Sequence, residues 1–179
     1  DENPVIFLEH RWLHNQEEEG VPEGNFQLPI GKANVMREGK DITIVGMSYM
    51  TIEALKAVKY LDSQNISCEL IDIRSINPID WDAIFTSVRK TGRLLVLDTG
   101  SATGSVAGEI VARVVMELFS EMHCAPSRIA MPDVPVPTSF GLTEMFYPSA
   151  ATIVDNVSNI FGKSLNVDDL EKSSTPHDI

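Results

Sequence analysis

The chain has 179 residues, 43% hydrophobic and 22% charged, which is the composition of one globular domain rather than a disordered or fibrous segment. Fourteen Lys and Arg against 26 Asp and Glu leave a net charge of −12, which argues against nucleic acid or an anionic membrane as partner and suits a basic protein surface. No apolar run approaches the roughly 20 residues that span a bilayer. The two distant cysteines, Cys68 and Cys124, make no disulfide framework, so a reducing, cytoplasmic setting is expected.

Val5-Ile6-Phe7-Leu8 reads as a short buried strand, followed by a polar stretch with Glu17-Glu18-Glu19-Gly20 and Val21-Pro22-Glu23-Gly24. A strand with no neighbour to pair with fits the last strand of a preceding domain. Residues 1–8 are therefore expected to be its remnant, and residues 9–30 a linker.

From Gly31 the pattern becomes regular. Residues 33–37 and then Ile42-Thr43-Ile44-Val45 read as strands, and Ile52, Leu55, Val58 and Leu61 recur at helical spacing. Residues 68–73 make the next strand. Asp80 offers an N-cap to a helix with Trp81, Ile84, Phe85 and Val88 inward, closed near Gly92. Leu94-Leu95-Val96-Leu97 is apolar on both faces, as a buried parallel strand is.

A glycine-spaced turn then leads to a helix over about 105–121, carrying Val106, Ile110, Val114 and Leu118. Residues 128–131 form another strand. Pro148 suits the first turn of a last helix with Ile153, Val157 and Ile160 on one face. Past Gly162 the periodicity fades, and residues 163–179 are expected to be a flexible tail. Alternation of strand and helix predicts an α/β fold: a three-layer α/β/α sandwich around a mainly parallel, mixed sheet of about five strands, in one domain over residues 31–162.

The segment Asp98-Thr99-Gly100-Ser101-Ala102-Thr103-Gly104-Ser105 sits between a strand and a helix, where backbone N–H groups can hold an anion. Gly100, Ser101, Thr103, Gly104 and Ser105 are accordingly the candidate anion or interface loop. The glycine spacing matches no dinucleotide fingerprint and no lysine follows to meet a phosphate, so helix packing or a subunit contact competes with ligand binding.

His10 and His14 stand four apart, but Arg11 occupies the place of a metalloprotease glutamate, and they read as solvated or interface histidines. No nucleophile elbow or phosphate loop is present. Cys68 reads as a core residue and Cys124 as a thiol near a helix end. Pro132, Pro135 and Pro137 impose a stiff, extended segment that serves either an interface or a crossover.

Several segments together resemble the C-terminal domain of transketolase-like thiamine enzymes, nearest to the beta subunit of the first component of 2-oxo acid dehydrogenases. They are Pro4-Val5-Ile6-Phe7-Leu8-Glu9-His10, Leu28-Pro29-Ile30-Gly31-Lys32-Ala33, Arg37-Glu38-Gly39 and Asp41-Ile42-Thr43-Ile44-Val45. They continue with Ile71-Asp72-Ile73-Arg74-Ser75-Ile76-Asn77-Pro78-Ile79-Asp80, Gly108-Glu109-Ile110-Val111-Ala112-Arg113, Ala125-Pro126 and Pro132-Asp133-Val134-Pro135-Val136-Pro137. The resemblance spans about residues 4–162.

The resemblance implies an oxidoreductase parent that decarboxylates a 2-oxo acid, such as pyruvate or a branched-chain acid, with thiamine diphosphate and Mg. It gives this domain the task of subunit association. Partners so implied are a preceding pyrimidine-binding domain, an alpha-type subunit, a second beta subunit and a basic acyltransferase docking domain, for which Glu117 and Glu121 are candidate contacts. The family's Gly-Asp-Gly cofactor motif finds no Gly-Asp pair here, and its activating glutamate belongs to the preceding domain. No catalytic, cofactor-binding or metal residue is therefore assigned, and the fragment alone is expected to be inactive.

Beta subunits often carry two acids before a glycine pair, where this chain has Asp98-Thr99-Gly100 and Thr103-Gly104-Ser105. That departure keeps open a transketolase or deoxyxylulose-phosphate-synthase-like transferase, beside a free-standing anion-binding α/β module. The compartment implied is the cytoplasm, or the mitochondrial matrix in a eukaryote.

Overall fold

Residues 4, 6–15, 23–167 and 170 are described by a computed structural model. A five-stranded sheet runs in the order β1-β3-β2-β4-β5. Its strands are β1 (Asn34–Arg37), β2 (Ile42–Gly46), β3 (Cys68–Asp72), β4 (Leu94–Ser101) and β5 (Ser127–Met131). All neighbours pair in parallel except β1, which runs antiparallel to β3 with Asn34 opposite Asp72. The mixed, mainly parallel α/β sheet expected from the sequence is the one observed.

Because side chains alternate across a strand, the inner strands feed two cores. On one face Ile42, Ile44, Leu95 and Leu97 pack with α1 (Tyr49–Ser63) and α5 (Ala150–Phe161). On the other Val45, Ile71, Leu94 and Val96 pack with α2 (Trp81–Thr91) and α3 (Val106–Leu118). Thr43 also points into this second layer, and its hydroxyl is satisfied at 2.7 Å by both Ser87 and Thr91. A buried hydroxyl left unpaired would cost about 1–3 kcal/mol, so this trio keeps the layer tolerable.

Helix ends follow the sequence signals closely. Asp80 caps α2 and also accepts the Ala33 N–H at 3.1 Å, tying the entering chain to the sheet. Gly92 ends α2 in the left-handed region at φ 66°, where a side chain would collide with the His123 ring. On α1 the buried stripe is Met50, Ala54, Ala57, Val58 and Leu61, shifted from the expected Ile52 and Leu55, which are half-buried. The cause is α5, whose Ala150 N–H donates to the buried Glu53 carboxylate at 2.8 Å and turns that side of α1 inward.

Other departures are local. β4 continues through Gly100 and Ser101, so the expected turn begins later, at Ala102. The last regular helix starts at Ala150 with Ser149 at its N-cap, leaving Pro148 just before it. A short helix α4 (Phe140–Phe146) lies in what reads as a plain crossover. Within the expected tail, Leu165, Val167 and Leu170 pack on the α1/α5 core, and the Tyr60 hydroxyl donates to the Asn166 carbonyl. Three spaced apolar residues suffice to hold that stretch, though they make no helical period. At the other end Ile6, Phe7 and Leu8 are exposed and outside any described strand.

Candidate functional site

In open α/β sheets ligands gather at the carboxyl ends of the strands. Here that edge holds Gly100 and Ser101 at the end of β4, the turn through Thr103 and Gly104, and Ser105 at the N-cap of α3. The five candidate residues therefore lie on one continuous rim.

The N–H groups of Gly100, Ala102, Thr103, Ala107 and Gly108 are already engaged. Asp98, only 5% exposed, accepts the Gly100 N–H at 2.8 Å on Oδ1 and the Ala107 N–H at 3.1 Å on Oδ2. The Ala102 N–H goes to the Met131 carbonyl at 2.8 Å. Asp133 accepts the Thr103 N–H at 3.0 Å and its hydroxyl at 2.6 Å, and the Gly108 N–H goes to the Ser105 hydroxyl at 3.1 Å. Those bonds, the hydroxyl's first, hold the Asp133 carboxyl below the ordinary carboxylate range.

Arg128 completes the closure, donating to the Ala102 carbonyl at 2.7 Å and reaching Ser105 Oγ at 3.4 Å. It can do so because residue 108 is glycine: a Cβ there would stand 2.9 Å from the guanidinium. At the Gly100, Thr103 and Ala107 N–H groups an incoming anion would meet the Asp98 and Asp133 carboxylates already in place, with Arg128 as the neighbouring positive charge. What the rim presents outward is the turn tip at Thr103 and Gly104, both exposed.

Sequence reading does not find Asp98, Arg128 and Asp133 as the residues that fasten this rim. Asp133 lies 30 positions from Thr103, and no local pattern announces so distant a pairing.

Glu117 is exposed on α3, and Glu121 lies in the 3₁₀ turn Phe119–Glu121 that follows it. Glu121 pairs with Arg89 at 3.6 Å. Beside them Met116 is 84% and Phe119 76% exposed, so the acids stand among apolar side chains. A second apolar group, Phe26, Leu28, Ile30, Val35, Met36 and Ile76, stands in solvent on the entering segment, β1 and the loop after β3.

His10 and His14 do not converge: His10 Nδ1 accepts the Trp12 N–H, and His14 pairs with Glu9 at 2.8 Å. Among the described residues no three His, Cys, Asp or Glu could share a metal ion. Cys68 is buried, and desolvation pushes its thiol up to about 12. Cys124 is half-buried.

Residues 31–153 match the family described as "Transketolase, C-terminal domain". The chain belongs to the transketolase C-terminal domain family. It is 40% identical over 153 residues to the acetoin:2,6-dichlorophenolindophenol oxidoreductase subunit beta of Cupriavidus necator, covering 86% of this chain and 45% of that protein. To the mitochondrial pyruvate dehydrogenase E1 component subunit beta-1 of Arabidopsis thaliana it is 43% identical over 157 residues, covering 86% of this chain and 43% of that one.

Among solved structures, a split-gene transketolase described as an inactive beta4 tetramer superposes with a TM-score of 0.63 at 30% identity, over 80% of this chain and 45% of that one. This transketolase C-terminal domain thus corresponds to the C-terminal part of such beta subunits, and spans a little under half the length of the relatives it matches.

Among the described residues no helix is long and apolar enough to cross a membrane. The relatives include both bacterial and mitochondrial proteins.

Proposed function

We propose that the domain serves subunit association in the beta subunit of a 2-oxo acid dehydrogenase first component, whose parent enzyme oxidatively decarboxylates a 2-oxo acid. The observation that carries this reading is the contrast between a rim closed by its own carboxylates and large apolar side chains standing in solvent. Exposed apolar patches rimmed by polar groups mark protein interfaces.

Thiamine diphosphate and Mg belong, in this reading, to the parent. The residues present do not fit that group: there is no Gly-Asp pair for its diphosphate and metal, and the rim N–H groups of Gly100, Thr103 and Ala107 are taken by Asp98 and Asp133. The domain's contribution is to hold a preceding pyrimidine-binding domain, an alpha-type subunit and a second beta subunit in place. Glu117 and Glu121, with Met116 and Phe119, form the surface for a basic acyltransferase docking domain. Opposite charge would steer the encounter and the two apolar side chains would add burial. Such a complex works in the cytoplasm or the mitochondrial matrix.

Calorimetric titration of the 179-residue chain with thiamine diphosphate and Mg should give no binding. Light scattering with the cognate alpha-type subunit and full-length beta subunit should give a mixed oligomer that releases carbon dioxide from a 2-oxo acid. Tight, Mg-dependent cofactor binding by this chain alone would end the proposal.

The likeness to a split-gene transketolase favours a second reading, in which the parent transfers a two-carbon unit between sugars. Assaying the reconstituted parent for ketol transfer against oxo-acid decarboxylation separates the two.

A further inference from the structure

Residues 9–15 are held on the start of α1 by aromatic contacts rather than by the sheet. The Trp12 ring stands edge-on to Tyr49 and to Tyr147, both at 5.0 Å between centroids, and the His10 ring stacks on Tyr49 at 5.2 Å and 21°. The floor beneath is fixed. Tyr49 donates its hydroxyl to Glu53 Oε1 at 2.9 Å, and Glu53, 1% exposed, holds the N-terminus of α5 with its other oxygen.

Within the arm, the turn closes on His10 twice: Leu13 N–H donates to its carbonyl at 2.9 Å, and Trp12 N–H to its Nδ1 at 3.3 Å. The second bond requires a lone pair on Nδ1, so it exists only while the ring is neutral and carries its proton on Nε2.

We propose that residues 9–15 form a proton-operated latch, closed over the start of α1 while His10 is neutral and released when His10 takes a second proton. Protonation turns Nδ1 into a donor facing the Trp12 N–H, which removes the acceptor that shapes the turn carrying Trp12.

The charged and titratable groups of the described residues around the ring must be weighed against this. From the arm itself come Glu9, Arg11 and His14; from α1 Tyr49 and Glu53; from the segment before α5, Tyr147. Glu9 is occupied by His14 at 2.8 Å, and Glu53 by Tyr49, Lys56 at 2.8 Å and the Ala150 N–H, so neither carboxylate is free to hold an imidazolium. Arg11 adds positive charge. The face of Tyr49 would welcome a cation, but partial burial works the other way and lowers the ring's affinity for a proton.

The sign follows. A site that binds a proton less well when closed favours closure above the ordinary imidazole value of about 6.5 and loses that preference as pH falls below it. Opening withdraws Trp12 from Tyr49 and Tyr147 and so uncovers the start of α1 and the segment before α5.

The chain has two tryptophans, so incorporation of 5-fluorotryptophan gives two ¹⁹F resonances, assigned with Trp12→Phe. Between pH 8 and pH 5 the Trp12 resonance should move to a solvent-exposed position, read from its H₂O/D₂O isotope shift, with a midpoint below 6.5, while the Trp81 resonance stays. In His10→Gln the Trp12 resonance should no longer titrate, whereas in His14→Gln it should still titrate, with the midpoint free to rise as Glu9 loses its partner. The latch is refuted if Trp12 does not respond, if both tryptophans move together, if the response survives in His10→Gln, or if His14→Gln abolishes it.

Discussion

Asp133 grips Thr103 at two atoms, taking the amide proton on one carboxylate oxygen and the hydroxyl proton on the other across 30 positions of sequence. The grip joins the turn after β4 to the proline-bearing segment after β5, and both Asp133 and Thr103 lie at the surface. Thr103→Val and Asp133→Ala should each accelerate hydrogen exchange at the Thr103 amide by about tenfold or more while leaving the thermal midpoint nearly unchanged. A carboxylate held below its ordinary value stabilises the turn above that value. The exchange protection should therefore persist at neutral pH and fade as pH drops below the usual 3.8.

Asp98 is a different case because it is buried. Its two oxygens serve the Gly100 and Ala107 amides, joining the end of β4 to the first turn of α3. Asp98→Ala should leave both amides without their acceptor and cost about 1–3 kcal/mol. Asp98→Asn, which keeps one acceptor oxygen, should cost less. Urea unfolding should show the midpoint falling in that order with the slope unchanged.

The elements that sequence reading places best are those with redundant signals. β2 is wholly buried and residues 94–97 of β4 are apolar on both faces, Asp80 and Gly92 bracket α2, and Ser105 precedes the apolar stripe of α3. α4 escaped because seven residues after a proline-rich stretch show less than two helical turns of pattern. The docking of Leu165, Val167 and Leu170 escaped for a related reason, since their burial depends on Tyr60 and the α1/α5 groove rather than on their own period. At the rim the glycines and hydroxyls were visible as a loop. What closes it was not, because Arg128 and Asp133 arrive from beyond a whole helix.

Gly92 ends α2 at φ 66°, and the His123 ring lies where its Cβ would be, at 2.4 Å. Gly92→Ala should therefore pay twice, for the left-handed backbone and for the collision, at about 1–3 kcal/mol in all. His123→Ala in the same chain should recover the part due to the collision and leave the part due to backbone conformation. A double-mutant cycle on thermal or urea unfolding separates the two contributions. Full recovery would mean the backbone term is negligible, and no recovery would mean the ring moves aside without cost.

The two thiols should differ sharply in reactivity, for reasons of burial and not of redox partnership. Cys68 lies within β3, is buried, and has its thiol pushed up to about 12 by desolvation, so almost no thiolate exists at pH 8. Cys124 is half-buried in the connection after α3, where reagent can reach it. A disulfide reagent at pH 8 should accordingly titrate one thiol promptly in the native chain and the second at the rate of unfolding, with both reacting at once in urea. Cys68→Ala should retain the prompt thiol, and Cys124→Ser should remove it. Cys68→Ala also leaves a small void in the core on the α1/α5 face of the sheet, and its cost, about 1 kcal/mol for a buried group of that size, should appear in the unfolding midpoint and not in the labelling of Cys124.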